Sequence, residues 1–593
     1  MTRSMTEFSL ILARRCGVAI ACGLGLAANW VLQSIAPVQA AERLAIRYRV
    51  WERSISITSL AHYAATGDAD DELSAYLDYL PTATRERLPE LLSTPLPIGA
   101  VEASQFLYSP QGEFLLQRLS VVFSTDASDR SCETTFKGLR GAIVTAANSP
   151  TGLTPIALLE AFPTRTLYLK IGEAIAAVDS VRETLDTSQV ELSRIEAIAA
   201  LAPPADQTIR DQWQALRRRG AYEWRIEPIE IRDRTRNFPY GHRASADLYM
   251  PYTSHTSNTS PTAAGSINPA DSIGKAPAAP LIVISHGVGS DRHTFYYLAE
   301  YLASHGFAVL VPEHAGSNAK HLQALLRGSE NEIAKPSEFD DRPRDISLLL
   351  DEVTRRLAFD PSVVGQIDTS RTIVIGHSFG GYTALALAGA TIDTTALRQT
   401  CTDLDQQWSW NLSLLLQCRL LTLVEDAPLM TRWRDERVRG VILISPIGDA
   451  IFDDRGLAAM TVPVLMLAGT ADTIAPAYLE QIPLFERLPM ADRQLALWQG
   501  GTHFSSIAIP AGEEPSISLP SILVGPDPQI AHRNLEALAL TFTRAHLMNN
   551  PEAHTLLTPS ALAALGNATL PIVAIDGSSF SGDDRISRQL HGQ

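Results

Sequence analysis

Five cysteines in 593 residues are too few for a disulfide-built scaffold, and none falls in the paired spacing of a zinc or haem site. Basic surplus is missing as well. Lys and Arg number 49 against 65 Asp and Glu, a formal net charge of −16. A phosphate backbone needs a basic face, so nucleic acid is excluded as a partner. No internal repeat is visible. Charged residues make up 19% of the chain and hydrophobic residues 45%, which leaves ample apolar material for a large globular core. The length exceeds one ordinary domain.

The first forty residues stand apart. Arg14-Arg15 precede Cys16–Ala28, a run that is wholly apolar or glycine. Asn29, Gln33 and Ser34 then interrupt it, and Val38-Gln39-Ala40 has the small-x-small form of a cleavage site. This pattern predicts a secretory signal peptide over residues 1–40 and export to the periplasm or beyond. The alternative is an uncleaved membrane anchor, disfavoured because a span needs ~20 apolar residues. The arginine pair resembles a twin-arginine signal, but Cys16-Gly17 fits it poorly. Cleavage would remove Cys16 and Cys22 and leave Cys132, Cys401 and Cys418. In an oxidising compartment Cys401 and Cys418 could close a small loop, with Cys132 free; three buried thiols are the alternative.

Residues 41–166 read as an all-helical domain. Apolar residues recur at three- and four-residue spacing in Ser56–Ala65, Asp71–Leu80, Thr84–Leu92, Gly112–Leu119, Gly138–Ala147 and Thr154–Phe162. No chemistry is visible there, and Tyr76 and Tyr79 read as packing residues. An amphipathic helical linker, broken at Pro203-Pro204, fills 167–221. The pattern then changes. Strands are expected at Trp224–Ile231, Ala244–Met250, Leu281–Ser285, Ala308–Val311, Thr372–Ile375, Gly440–Ile444 and Val462–Leu467. Helices fall between several of them, at Thr294–Ser304 and Arg344–Leu357. Pro251–Ala279, rich in Ser, Thr, Pro, Gly and Ala, reads as a mobile loop. Such alternation implies an α/β fold, a mostly parallel, doubly wound sheet over 222–548, with ligands at the carboxyl ends of the strands. Residues 549–593 read as a C-terminal extension.

The chemistry concentrates in Thr372–Thr383, TIVIGHSFGGYT. A hydroxyl at its ordinary pKa is a poor nucleophile, and it needs exposure and an adjacent base. Ser378 sits where a strand turns sharply into a helix, and Gly376, Gly380 and Gly381 let the two approach. On this topology the acid and the histidine follow the serine in the chain. The expected acid is Asp472, just past the strand Val462–Leu467; Asp449, after the preceding strand, is the competitor. Asp453 and Asp454 read as surface charges. The expected base is His503 in LWQGGTHFS, after two glycines. His532, His546 and His554 lie in helical contexts and are weaker candidates. Oxyanion donors are expected from the amides of Phe379, after the nucleophile, and Val288, in the loop His286-Gly287-Val288-Gly289. Glu313-His314 lacks a third ligand at useful spacing and reads as structural. The insertion over 391–437 carries Trp408, Trp410, Leu412, Leu414, Leu415 and Leu416. It reads either as a hydrophobic cap over the acyl pocket or as ordinary helical packing.

At these residues the sequence resembles the α/β-hydrolases, and is similar to the platelet-activating-factor acetylhydrolase and dienelactone-hydrolase-like group. The residues that carry the likeness are Ser285-His286-Gly287-Val288-Gly289, Leu302–Phe307, Glu313-His314 and Gly376–Gly381, across about 222–545. The resemblance implies a serine nucleophile, no metal or other cofactor, and hydrolysis of short-chain or oxidised acyl esters on lipids. The acetylhydrolases carry their acid after the strand that follows the nucleophile helix, where this chain has Ile444-Ser445-Pro446, which leaves Asp472 as the acid. True dienelactone hydrolases use cysteine in place of Ser378. Tyr48–Ser54, Phe106–Ser109 and Gly138–Ala142 resemble a helical domain of unknown function that precedes such hydrolases in exported cyanobacterial proteins; that likeness implies no activity.

The expectation is thus an exported serine ester hydrolase acting on a small-molecule or lipid ester, with peripheral membrane contact as an option. Two alternatives stay open: a non-catalytic envelope protein that binds through the same scaffold, and an amidase or peptidase with the same triad. Oligomeric state is not legible.

Overall fold

The computed structural model describes residues 40–579, apart from 49–50, 80–81, 97, 126–131, 238, 253–277, 360–366, 407–408, 427–432, 509–523 and 526. The expected signal peptide and most of the expected loop at Pro251–Ala279 lie outside the described residues. The chain divides into two compact units, Met1–Ala176 and Ala177–Gln593.

The first unit is not all-helical. Its strands β1 (Arg43–Tyr48), β2 (Trp51–Ser56), β3 (Phe123–Ser124) and β4 (Thr166–Lys170) form a sheet in the order β2-β1-β4-β3. Arg43 pairs with Ser56 on one side and with Thr166 on the other. The β1–β4 partners are far apart in the chain, and such a pairing leaves no trace in local periodicity, where the sequence pattern shows helices alone. Those helices are present: Ile57–Thr66, Asp71–Leu77, Thr82–Ser93, Pro110–Val122, Cys132–Ala147 and Pro155–Glu160, with Ala100–Leu107 in addition. Ser56, Asp70, Ser109 and Thr154 cap four of them by accepting a bond from an early helical amide. Leu116, Leu139, Ala142 and Phe162 are among their shared core. Because β4 belongs to this sheet, the unit runs past the expected boundary at 166.

The second unit is built on nine strands: β5 (Glu223–Asp233), β6 (His242–Tyr252), β7 (Ala279–Ser285), β8 (Ala308–Glu313), β9 (Ile367–His377), β10 (Val438–Ile444), β11 (Val464–Gly469), β12 (Arg493–Trp498) and β13 (Ile572–Asp576). They lie in the order β13-β12-β11-β10-β9-β7-β8-β6-β5. Neighbours from β8 to β12 are parallel; β5, β6 and β13 are antiparallel at the edges. Side chains alternate across the parallel strands, and both faces are buried, as a parallel sheet covered by helices requires. Val283, Val374, Leu443, Met466 and Leu495 join one core; Ile284, Ile375, Ile444, Leu467 and Ala496 join the other. Helices Glu338–Phe359 and Phe379–Leu387 cover the first face, and Tyr296–Ser304 and Pro528–Leu547 the second.

Two expected boundaries change. The stretch read as a linker packs on this unit: Ile195 of helix Ile171–Ala199 and Trp213 of helix Gln207–Leu216 enter the two cores. The stretch read as a C-terminal extension supplies the edge strand β13 and core residues Leu556, Leu562 and Leu570. The strand lies far beyond β12 in the chain, and its pairing with β12 is not a local signal. Among the described residues, no helix is long and apolar enough to cross a membrane.

Candidate active site

β9 ends at His377 and the next helix starts at Phe379, so Ser378 alone makes the turn. Its φ of 55° and ψ of −115° lie where L-residues are strained by about 1–3 kcal/mol. The surroundings enforce it. The Ser378 amide donates to the Ile444 carbonyl at 2.9 Å, and its carbonyl accepts from Gly381 at 2.8 Å. A Cβ on Gly376 would stand 2.0 Å from the Gly380 carbonyl oxygen, and one on Gly380 would stand 2.0 Å from that of Ser285. The small residues around the serine are therefore steric requirements of strand, turn and helix meeting at one point.

The loop after β7 packs against this turn. A Cβ on Gly287 would meet Ser378 Cβ at 3.2 Å and His377 Nδ1 at 2.9 Å. Val288 follows at once, and Gly289 turns the chain with φ +70° while donating its amide to Ser317 at 2.8 Å. Among the described residues neither the Val288 nor the Phe379 amide has a protein acceptor, as two oxyanion donors require. His286 is structural. It is fully buried, its Nε2 accepts the His314 amide at 3.1 Å, and burial pushes its pKa down to about 3.

Asp472 and His503 meet across two stapled loops. Asp472 follows β11, and His503 follows β12. A Cβ on Gly469 would lie 2.3 Å from the Gly501 carbonyl oxygen, and the Ala471 amide donates to that oxygen at 2.8 Å. Asp472 Oδ2 lies 2.7 Å from His503 Nδ1. Its Oδ1 accepts the amides of Ile474 and Ala475 at 2.9 and 2.8 Å, so the carboxylate is anchored independently of the imidazole. Because a carboxylate only accepts, Nδ1 carries the proton and Nε2 is left as the basic nitrogen. Ser378, Asp472 and His503 are 8%, 5% and 4% exposed.

His377 joins this histidine to the serine. Its Nε2 donates to the His503 carbonyl at 2.9 Å, and the two rings lie 5.1 Å apart. Burial pushes the His377 pKa down to about 3, so it is neutral. Among the described residues no hydrogen bond joins Ser378 Oγ to His503 Nε2; without substrate such bonds are often long and tighten in the reacting complex.

The other candidates lie elsewhere. Asp449 pairs with Arg487 rather than with a histidine. Asp453 caps helix Asp454–Leu457. His532, His546 and His554 gather with other partners, His532 stacking on Tyr297 and His546 against His554. Glu313 accepts the Arg292 amide and the Asn318 side chain, and His314 Nε2 meets Ser285 Oγ at 2.8 Å. Among the described residues no three His, Cys, Asp or Glu gather as a metal site.

The insertion contributes helices Thr394–Gln406, Leu414–Gln417 and Leu420–Asp426, and Cys401 and Cys418 form a disulfide. Leu397, Leu416 and Leu420 pack into the sheet core, whereas Trp410 and Leu412 are exposed; Trp408 lies outside the described residues. The buried Glu480 carboxylate ties the insertion down through Asn411, Ser413 and Gln417, and holds the Gly448 and Asp449 amides on its other oxygen. Ser413 also donates its amide to Ile474, two residues from Asp472.

Comparison with known proteins follows the same division of the chain. Residues 40–170 match the family described as alpha/beta hydrolase of unknown function (DUF1400). Platelet-activating factor acetylhydrolase of Bos taurus is 31% identical over 137 residues, 18% of this chain and 31% of that protein. The Canis lupus familiaris protein of the same name is 33% identical over the same shares. Cutinase est1 of Thermobifida alba is 25% identical over 225 residues, 38% of this chain and 53% of the cutinase. The chain thus spans about a third of the acetylhydrolases and about half of the cutinase. Residues 282–590, more than half of the chain, match the alpha/beta hydrolase family, and with a strained serine turn between β9 and its helix, the chain belongs to that family.

Proposed function

We propose that this chain is an exported serine hydrolase that cleaves carboxylic esters, short-acyl lipid esters among them, through an acyl-enzyme. The observation that carries the reading is the 2.7 Å contact between His503 Nδ1 and a fully anchored Asp472, beside a serine in a strained turn. Ser378 Oγ attacks the ester carbonyl and passes its proton to His503 Nε2. Asp472 stabilises the imidazolium. The Val288 and Phe379 amides hold the oxyanion. His503 then protonates the departing alcohol, and water, deprotonated by the same nitrogen, releases the acid. The ester preference is supported by relatives named as an acetylhydrolase and as cutinases. Export is supported by the sequence pattern of residues 1–40.

The test is Ser378→Ala. Hydrolysis of p-nitrophenyl acetate and butyrate should fall to background, while the melting temperature holds, because alanine keeps the Cβ and the same backbone turn. Wild-type-like turnover in that variant would remove the proposal.

A further inference from the structure

A fully buried arginine lies beneath the oxyanion loop. Arg342, in helix Glu338–Phe359, is 0% exposed. Its Nη1 donates to the His286 carbonyl at 2.7 Å, and its Nη2 donates to Ser317 Oγ at 2.6 Å. Its Nε lies 3.2 Å from Glu338 Oε2, and that carboxylate also accepts from the Ser317 hydroxyl and from the Gly316 amide. The guanidinium carbon lies 4.2 Å from the centre of the Phe379 ring. One planar cation therefore touches both halves of the candidate oxyanion hole. It grips the carbonyl two residues before Val288, and it packs on the side chain of the residue that supplies the other amide. Ser317 closes the circuit, because its carbonyl accepts the Gly289 amide just after Val288. The loop is held on both sides of Val288 by the same cluster.

Burying a guanidinium is costly, and such a group is retained where its fork fixes a geometry that lysine's point charge cannot. We propose that Arg342, with Ser317 and Glu338, is a positioning unit for the oxyanion hole: it sets the Val288 and Phe379 amides at the spacing that a tetrahedral intermediate needs. This rests on the ester-hydrolase reading above. Arg342 does not touch substrate; it acts through the backbone it holds.

The test uses Arg342→Lys and Ser317→Ala in the full chain. Turnover is expressed per active serine, counted by titration with a fluorophosphonate, so that a partly unfolded sample does not pass for a slow one. Losing one oxyanion donor costs about 100- to 1000-fold in kcat. A displaced donor should cost less, so Arg342→Lys is expected to lower kcat by about 10- to 100-fold and Ser317→Ala by several-fold. KM should stay within about twofold, because the ground-state ester does not use these amides fully. Affinity for a trifluoromethyl ketone, which forms a tetrahedral oxyanion on the serine, should fall in step with kcat/KM. The pH midpoint of kcat should not move, since His503 and Asp472 lie outside the cluster. If Arg342→Lys does not fold, Ser317→Ala carries the same test. Per-site kcat and ketone affinity that match wild type in the folded variants would overturn the proposal. Absence of Ser378-dependent turnover in the wild-type protein would instead overturn the hydrolase reading itself.

Discussion

At the residue scale, the three groups of the candidate triad differ in how their positions are enforced. Asp472 is fixed by two amides and one imidazole. Asp472→Asn keeps the shape but offers an amide where His503 Nδ1–H needs an acceptor, which favours the wrong tautomer. A loss of about 10⁴-fold in kcat is expected, against less than tenfold for Asp449→Asn, whose carboxylate serves Arg487. The reverse ranking in ester assays would reassign the acid. His377 lies within the nucleophile motif, yet nothing in its spacing announces that it holds the backbone of His503. His377→Leu leaves that carbonyl unpaired, a cost of about 1–3 kcal/mol, and should lower kcat more than it raises KM; unchanged kinetics would show that the His503 loop stands without it. Glu536, in helix Pro528–Leu547, gives a pH-dependent case. Burial pushes its carboxyl up to about 7, against the pull of Arg219 and Arg533. A folded pKa above the unfolded value of about 4.3 means stability is retained below pH 4 and lost between there and pH 7. Glu536→Gln should therefore raise the melting temperature at pH 8 and leave it nearly unchanged at pH 4.5. The gain at pH 8 should be on the order of 1–2 kcal/mol, since the group is partly exposed and screened.

At the scale of elements, what the sequence disclosed tracks how local each signal is. The strand-end placement of Ser378, Asp472 and His503 is legible because each lies just beyond a strand whose apolar run ends in small or polar residues. Strands β7 to β11 were legible because a strand buried on both faces is a continuous apolar run. The pairings of β1 with β4 and of β12 with β13 were not, because the partners lie far apart in the chain. Arg342 was also silent: RPRD reads as an ordinary charged stretch of helix, and only the fold brings it under His286. The disulfide was one of two open options. Cys401 and Cys418 are 17 residues apart, a loop whose closure removes about 3 kcal/mol of unfolded-state entropy. Cys401→Ser/Cys418→Ser should lower the melting temperature by several degrees. Because the insertion is also pinned by Glu480 and Ile474, kcat at 25 °C should stay within about threefold; a melting temperature equal to that of the oxidised wild type would mean the bridge adds nothing.

At the scale of the whole molecule, the hydrolase unit is stabilised by two cores on opposite faces of one sheet, and the C-terminal segment belongs to one of them. Leu556, Leu562, Leu565 and Leu570 are buried there, Trp213 Nε1 donates to the Ala561 carbonyl at 2.7 Å, and β13 seals the edge of β12. A chain ending at Met548 would expose that edge and lose several buried leucines, each worth about 2–5 kcal/mol. It should be insoluble or inactive; a soluble, fully active truncation would contradict this account of the core. The sheet, in turn, sets where the chemistry gathers. Ser378, Asp472 and His503 follow β9, β11 and β12, and the loop that carries Val288 follows β7, all at the carboxyl ends of parallel strands. The most direct measurement of that convergence is reaction of the purified protein with a fluorophosphonate, followed by peptide mapping. Modification of Ser378 alone is predicted, absent in Ser378→Ala and slowed at least 100-fold in His503→Ala. A folded wild-type protein that does not react, or that reacts at Ser378 just as fast without the imidazole, would contradict it.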